Sequence, residues 1–104
     1  GGDSSALNGG DSSALNGGDS SALNGGDRSA LNGGDSSALN GGEFSVIYGQ
    51  KDAKVKGGLH SVLAIAEYDE NYNIVKVHAK VVDGKKIKAD TWYILKNGKF
   101  SIVK

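Results

Sequence analysis

The 104-residue chain has no Cys, no Pro and no Met. Without Cys there is neither a disulfide framework nor a thiolate metal site. Charge of one sign is not in excess either, since 12 Lys+Arg balance 12 Asp+Glu. A net charge of zero gives no global reason to expect nucleic acid or an anionic membrane as partner. Hydrophobic residues amount to only 38%. No apolar run approaches the ~20 residues of a membrane span, and no signal-peptide pattern is present. The missing Met is what a trimmed chain would show. Localisation is left open by these absences, and no cofactor is implied.

Gly is what the chain has in quantity, and it is unevenly spread: 15 of the 17 lie within residues 1–58. They punctuate a repeat. GGDSSALN fills 1–8, 9–16, 17–24 and 33–40, and the copy at 25–32 differs only at Arg28. The eight-residue period continues through GGEFSVIY (41–48), GQKDAKVK (49–56) and GGLHSVLA (57–64). Eight octads therefore cover residues 1–64, near-perfect over 1–40 and degenerate over 41–64, and 65–104 form a separate segment.

The degenerate copies show what each position requires. Position one is always Gly. Position seven is always aliphatic: Leu7, Leu15, Leu23, Leu31, Leu39, Ile47, Val55 and Leu63. Position five is Ser, or Ala53 in one copy, whereas positions four, six and eight accept Arg28, Phe44, Asp52, Lys54, Lys56 and His60. Alternate side chains on a strand share a face. The pattern thus predicts a strand at positions four to eight, with five and seven inward. Positions one to three become a turn in which Gly relieves the bar on positive φ. A helix is excluded, because a period of eight drifts against 3.6 residues per turn and each Gly costs about 1 kcal/mol there. The competing reading is a flexible Gly/Ser tether carrying a small β domain.

An octad cannot bury its own aliphatic residue, so octads must stack. Two octads per coil give four coils and a parallel β-roll, with the position-seven residues as a thin central seam. The inward Ser hydroxyls must then bond one another or turn carbonyls, because an unpaired buried hydroxyl costs about 1–3 kcal/mol.

The C-terminal segment carries the heavy apolar residues, and all seven aromatics lie beyond residue 43. Strands are expected at 61–68, 73–82, 87–95 and 99–104, with hairpin turns at Asp83-Gly84 and Asn97-Gly98. This antiparallel meander, with Trp92 in its core, caps the roll. The fold expected is all-β.

The stretch from Asp69 to Phe100 resembles a small domain of unknown function found in phage and gut-bacterial proteins, following Gly-Asp-Ser-Ala-rich repeats. The likeness is strongest at Asp83-Gly84, Ile87–Tyr93 and Asn97-Gly98, and it covers roughly the last 45 residues. It implies architecture without an activity, and a virion or extracellular surface for a parent protein. The octads also resemble the β-rolls of trimeric autotransporter adhesin heads, with a different period. Identical copies are what recent duplication or consensus design produces.

Chemistry is sparse. Asp3, Asp11, Asp19, Asp27 and Asp35 fall in rows along the turns. Calcium is one reading, but the nine-residue motif of repeats-in-toxin rolls is absent. The plainer reading is an Asx-type turn with the carboxylate on backbone N–H groups. His60 and His78 sit in no zinc or triad pattern. No GxSxG elbow occurs, and the Gly pairs lack the Lys of a phosphate loop. Lys85, Lys86 and Lys88 form a solvated edge that blocks strand pairing.

The expectation is a non-enzymatic structural module: a spacer, fibre shaft or self-assembling scaffold. It would be a homo-oligomer, or associate end to end through its N-terminal coil, with neither nucleic acid nor membrane as partner. The alternative is a binding module that offers the flat Ser/Ala/Asn face or the Asp-lined turns to a glycan, calcium or a repetitive ligand. Charge supports association, because residues 1–40 hold five Asp against one Arg, a net of −4. Residues 41–104 hold 11 Lys against seven acids, a net of +4.

Overall fold

The computed structural model describes residues 6–96 and 98–103; Asp3 and Asn97 lie outside this range. The chain is a parallel β-solenoid of about four coils. Strands β1 (Ala6–Asn8), β3 (Ala22–Asn24), β5 (Ala38–Asn40) and β7 (Lys54–Lys56) form one sheet. Strands β2 (Ala14–Asn16), β4 (Ala30–Asn32), β6 (Val46–Gly49) and β8 (Val62–Tyr68) form the other. Every parallel pair is offset by 16 residues: Leu7 faces Leu23, Leu15 faces Leu31, and Ile47 faces Leu63. Successive octads thus alternate between sheets, and two make one coil, as the octad arithmetic predicts.

The seam is the position-seven column of both sheets. Leu23, Leu31, Leu39, Ile47, Val55 and Leu63 are at most 2% exposed, while Leu7 and Leu15 pack against this core only partly buried. Each such residue stabilises by about 1.5–3 kcal/mol. That is small beside the ~1–2 kcal/mol per residue needed to fix the backbone. Inter-coil hydrogen bonds supply the complement, and they continue around the turns. Gly26, Gly34, Gly42 and Gly58 donate to the Gly carbonyl 16 residues earlier, at 3.0–3.3 Å.

Position five joins this network. The Ser45 hydroxyl donates to the Gly26 carbonyl (3.2 Å) and accepts the Ser29 N–H (3.2 Å). Ser61 repeats the arrangement, donating to Gly42 (2.7 Å) and accepting from Ser45 (3.1 Å). The hydroxyl therefore sews one coil to the next and leaves no buried side-chain polar atom unpaired among the described residues.

Two features of the turn differ from expectation. The strands occupy only positions six to eight, because position four is left-handed. Ser12, Ser20, Arg28, Ser36, Phe44, Asp52 and His60 all have φ between 57° and 67°. Arg28, Asp52 and Phe44 thus stand at corners of the roll and not on a strand face. The octad Gly do not supply positive φ, which occurs in Gly only at Gly84 and Gly98 among the described residues. They are required for close approach. A Cβ on Gly33 would lie 2.9 Å from the Ser37 Cβ and 3.0 Å from a Leu39 methyl. One on Gly34 would strike the Asp19 carboxylate and stand 2.9 Å from its backbone nitrogen. Position one makes room for the seam, and position two for the coil beneath.

The C-terminal strands are antiparallel and divide between the two sheets. Strand β8 runs unbroken from the last octad to Tyr68, and β9 (Ile74–Val81) pairs beside it. Strands β10 (Tyr93–Lys96) and β11 (Lys99–Ile102) form a hairpin, with Gly98 at φ 76° in its turn. That hairpin joins the first sheet where Tyr93 faces Val55. The expected strand at 87–95 shrinks to 93–96, and Asp83-Gly84 is no hairpin, because β9 and β10 belong to different sheets. Residues 83–92 instead cross the end of the seam. Val82, Ile87 and Tyr93 enter the core there. His60 N–H donates to Val82 (2.8 Å) and Asp90 N–H to Gly57 (2.8 Å), which satisfies the last coil. Trp92, expected in the core, is half-buried on the outside, and its neighbour Tyr93 is the residue turned inward at 3% exposure.

Two substitutions follow from the inverted glycine logic. Gly34→Ala should destabilise by about 1–3 kcal/mol, as overpacking does. Ser36→Gly should be neutral or stabilise by up to about 1 kcal/mol, because a non-Gly residue in the left-handed region is strained. Paired denaturant titrations check both signs. Ala53→Ser restores a hydroxyl within reach of the Ser37 N–H and should raise stability by about 1 kcal/mol; an unchanged melting midpoint would contradict the sewing role.

Candidate functional surfaces

The residues with chemistry are mostly absorbed by the fold. The Asp carboxylates do accept backbone N–H groups, but from the next coil instead of their own turn. Asp11 accepts from Asp27 (3.0 Å) and Asp27 from Glu43 (3.0 Å) along one corner. Asp19 accepts from Asp35 (3.1 Å) and Asp35 from Lys51 (3.2 Å) along the other. The rows are separate, and no group of three or more His, Asp or Glu positioned for a metal ion occurs among the described residues. Asp3 lies outside them.

The two His are apart. His78 Nε2 lies 2.6 Å from the Glu67 carboxylate, half-buried between β8 and β9. His60 stacks on Phe44 with ring centroids 5.2 Å apart and planes 25° from parallel. Arg28 completes that column, its guanidinium carbon 5.9 Å from the Phe44 centroid. The three share octad position four at 16-residue spacing, so they fall on one corner. This explains the single deviation in the first five octads: Arg28 occupies the position directly below an exposed aromatic ring, where a planar cation is attracted to the ring face.

The outer faces of the two sheets contrast. On the β6–β8–β9 side, Val46, Val62, Val77 and Val81 stand together with Tyr48 and Ala64, and Val46, Val77 and Val81 are about half exposed. On the β7–β10–β11 side, the same strand positions hold Lys54, Lys56, Lys96 and Lys99. Lys56 Nζ lies 5.5 Å from the centre of the Trp92 ring. The signal was present in the sequence. Position six and eight residues of octads six and eight are mostly apolar, those of octad seven are Lys, and adjacent octads belong to opposite sheets.

A comparison with known family models, with curated proteins and with solved structures finds no match. No helix long and apolar enough to cross a membrane occurs among the described residues.

Among the described residues, two loop carboxylates and one phenol are shifted from their ordinary values. Asp83 is held below the usual carboxylate range by backbone N–H groups of Lys85 (2.8 Å), Ile87 (3.1 Å) and Lys86 (2.9 Å). Asp69 is lowered in the same way, chiefly by the Asn73 N–H and then by that of Asn71. Tyr68 is raised by partial desolvation and by the neighbouring Tyr48, Asp35 and Asp19. A carboxyl whose folded pKa is depressed contributes stability that is present above its unfolded value. It is lost as pH falls through the lower folded value. Asp83→Asn should therefore lower the melting temperature at pH 7 but not at pH 2. Carbon-13 titration of Asp83 should give a midpoint below that of an ordinary Asp; a midpoint at or above the ordinary value would contradict the loop-closing role.

Proposed function

We propose that this chain is a structural repeat module, a spacer, fibre shaft or self-assembling scaffold, with no catalytic activity. One observation carries the reading. The polar side chains that recur through the octads, Ser at position five and Asp at position three, take part in coil-to-coil hydrogen bonds among the described residues. Residues committed to joining coils serve length and stiffness. A repeat built to present a ligand site would point such groups outward. The C-terminal strands act in this reading as a cover for the open seam. A phage or bacterial surface is the setting that the C-terminal resemblance supports.

Self-association belongs to the same proposal. The acidic repeats and the basic C-terminal portion give the chain two unlike ends, which attract through a screened field. Hydrogen exchange with light scattering tests both parts. The N–H groups of Gly26, Gly34 and Gly42 should be strongly protected, as expected of a stacked array. Exchange at unfolded-chain rates over residues 14–64 would instead mean a tether. Mass should rise with concentration at low salt and fall back at high salt; a single monomer mass throughout would remove the scaffold reading.

A further inference from the structure

The basic outer face has no part in holding the roll together. The register that sets Tyr93 opposite Val55 puts Trp92 and Ile94 on the same side as Lys54 and Lys56. Lys96 and Lys99 continue that side across the hairpin. Beside it, residues 83–92 bring Lys86 and Lys88 to the rim of a groove of about 740 Å³, whose wall includes Tyr93, Ile94 and Phe100. Phe100 meets Tyr93 edge to face, with centroids 6.5 Å apart. Lys86, Lys88 and Lys96 thus line the groove, and Lys54, Lys56 and Lys99 lie on the sheet face that carries Ile94 and Lys96. The only ion pair among the described residues is His78–Glu67, so none of the six is neutralised by a carboxylate there.

We propose that this face binds single-stranded nucleic acid. The lysines would hold successive phosphates, and the bases would stack on Trp92 and against the half-buried Phe100 ring at the groove, Tyr93 being buried in the core. Complementarity of two kinds favours this ligand. Unpaired lysines in line attract a polyanion. Aromatic rings among them supply base-stacking surfaces, the pairing that sequence-tolerant single-strand binders use. A sulfated polysaccharide would meet the same charge, but its puckered, highly hydrated rings overlap an indole face less fully than a planar base does. A bilayer would need a broader apolar contact than Trp92 and Ile94 offer on this side. The neutral net charge of the chain is no objection, because a −4 array and a +4 C-terminal portion cancel only in sum. The inference goes beyond the structural reading and survives or fails separately from it.

The test is fluorescence anisotropy of an end-labelled oligothymidylate of about 12 nucleotides, within the usual ~4–16 of such sites, titrated with the intact chain. Binding should weaken with salt at a log–log slope of about −3, since four phosphate contacts contribute about −0.7 each. Trp92, the only Trp, should be quenched on binding. Lys86→Glu with Lys96→Glu should weaken binding at least tenfold and flatten the slope. Lys76→Glu with Lys80→Glu on β9 should not change it. All these side chains but the rings are exposed, and circular dichroism verifies that each variant is folded. The proposal is overturned by absent binding at low salt, by equal loss in the β9 variant, or by binding without quenching of Trp92. It is equally overturned if heparin fragments or phosphatidylserine vesicles bind and the oligonucleotide does not.

Discussion

The stack of one coil on the next is the interaction on which everything else rests. An octad has one aliphatic side chain to bury and no aromatic in its consensus form, so its share of a core is thin. Coil-to-coil hydrogen bonds must run almost without interruption, through strand, turn and side chain alike. The Gly at position two follows from this, because a Cβ there would push one coil off the backbone of the coil beneath. The Ser at position five follows too, since its hydroxyl reaches both a carbonyl and an N–H of the preceding coil. The position-three carboxylate does the same work at the corner. Even the left-handed residue at position four takes part: its N–H donates to the position-three carbonyl of the next coil, as Ser20 does to Asp35 at 2.8 Å.

The octads and the C-terminal strands divide the composition of one short chain between them. The repeats are rich in backbone pairing and poor in apolar mass, and the C-terminal segment has the reverse composition. Val82, Ile87 and Tyr93 bring bulk to the place where the stack would otherwise expose Leu63 and Val55. The C-terminal segment does not form a sheet of its own. Its strands prolong both sheets, one beside β8 and two beyond β7, so the last coil meets partners of its own kind. The loop between them is held by Asp83, whose carboxylate gathers three N–H groups that would otherwise lack partners in an irregular segment.

Much of the roll was legible in the sequence, for identifiable reasons. A strict aliphatic at position seven, beside free variation at six and eight, is the imprint of two strand faces. Eight octads divide evenly into two-octad coils. What was hidden lay where one residue type can serve two purposes. Gly signals either a left-handed backbone or a close approach, and only the neighbouring coil decides that it is the second. Ser, Arg, Phe, Asp and His at position four carry no common signal for positive φ, because the turn imposes it on whatever is there. Trp92 was expected in the core and Tyr93 is there instead, since adjacent residues in a strand face opposite ways and composition does not say which is inward. The contrast between valine and lysine faces needed the assignment of octads to alternate sheets before it emerged.

That alternation has a consequence for how such an array can change length. Because odd octads build one sheet and even octads the other, gaining or losing a single octad would reverse the assignment of every octad that follows. Where the change falls between Arg28 and His60, their column with Phe44 would be split between opposite corners, and where it falls between octads six and seven, Lys54 and Lys56 would join the sheet of Val46. Two octads at a time leave all of these relations intact. Parity, and not length, is what duplication must respect in this fold.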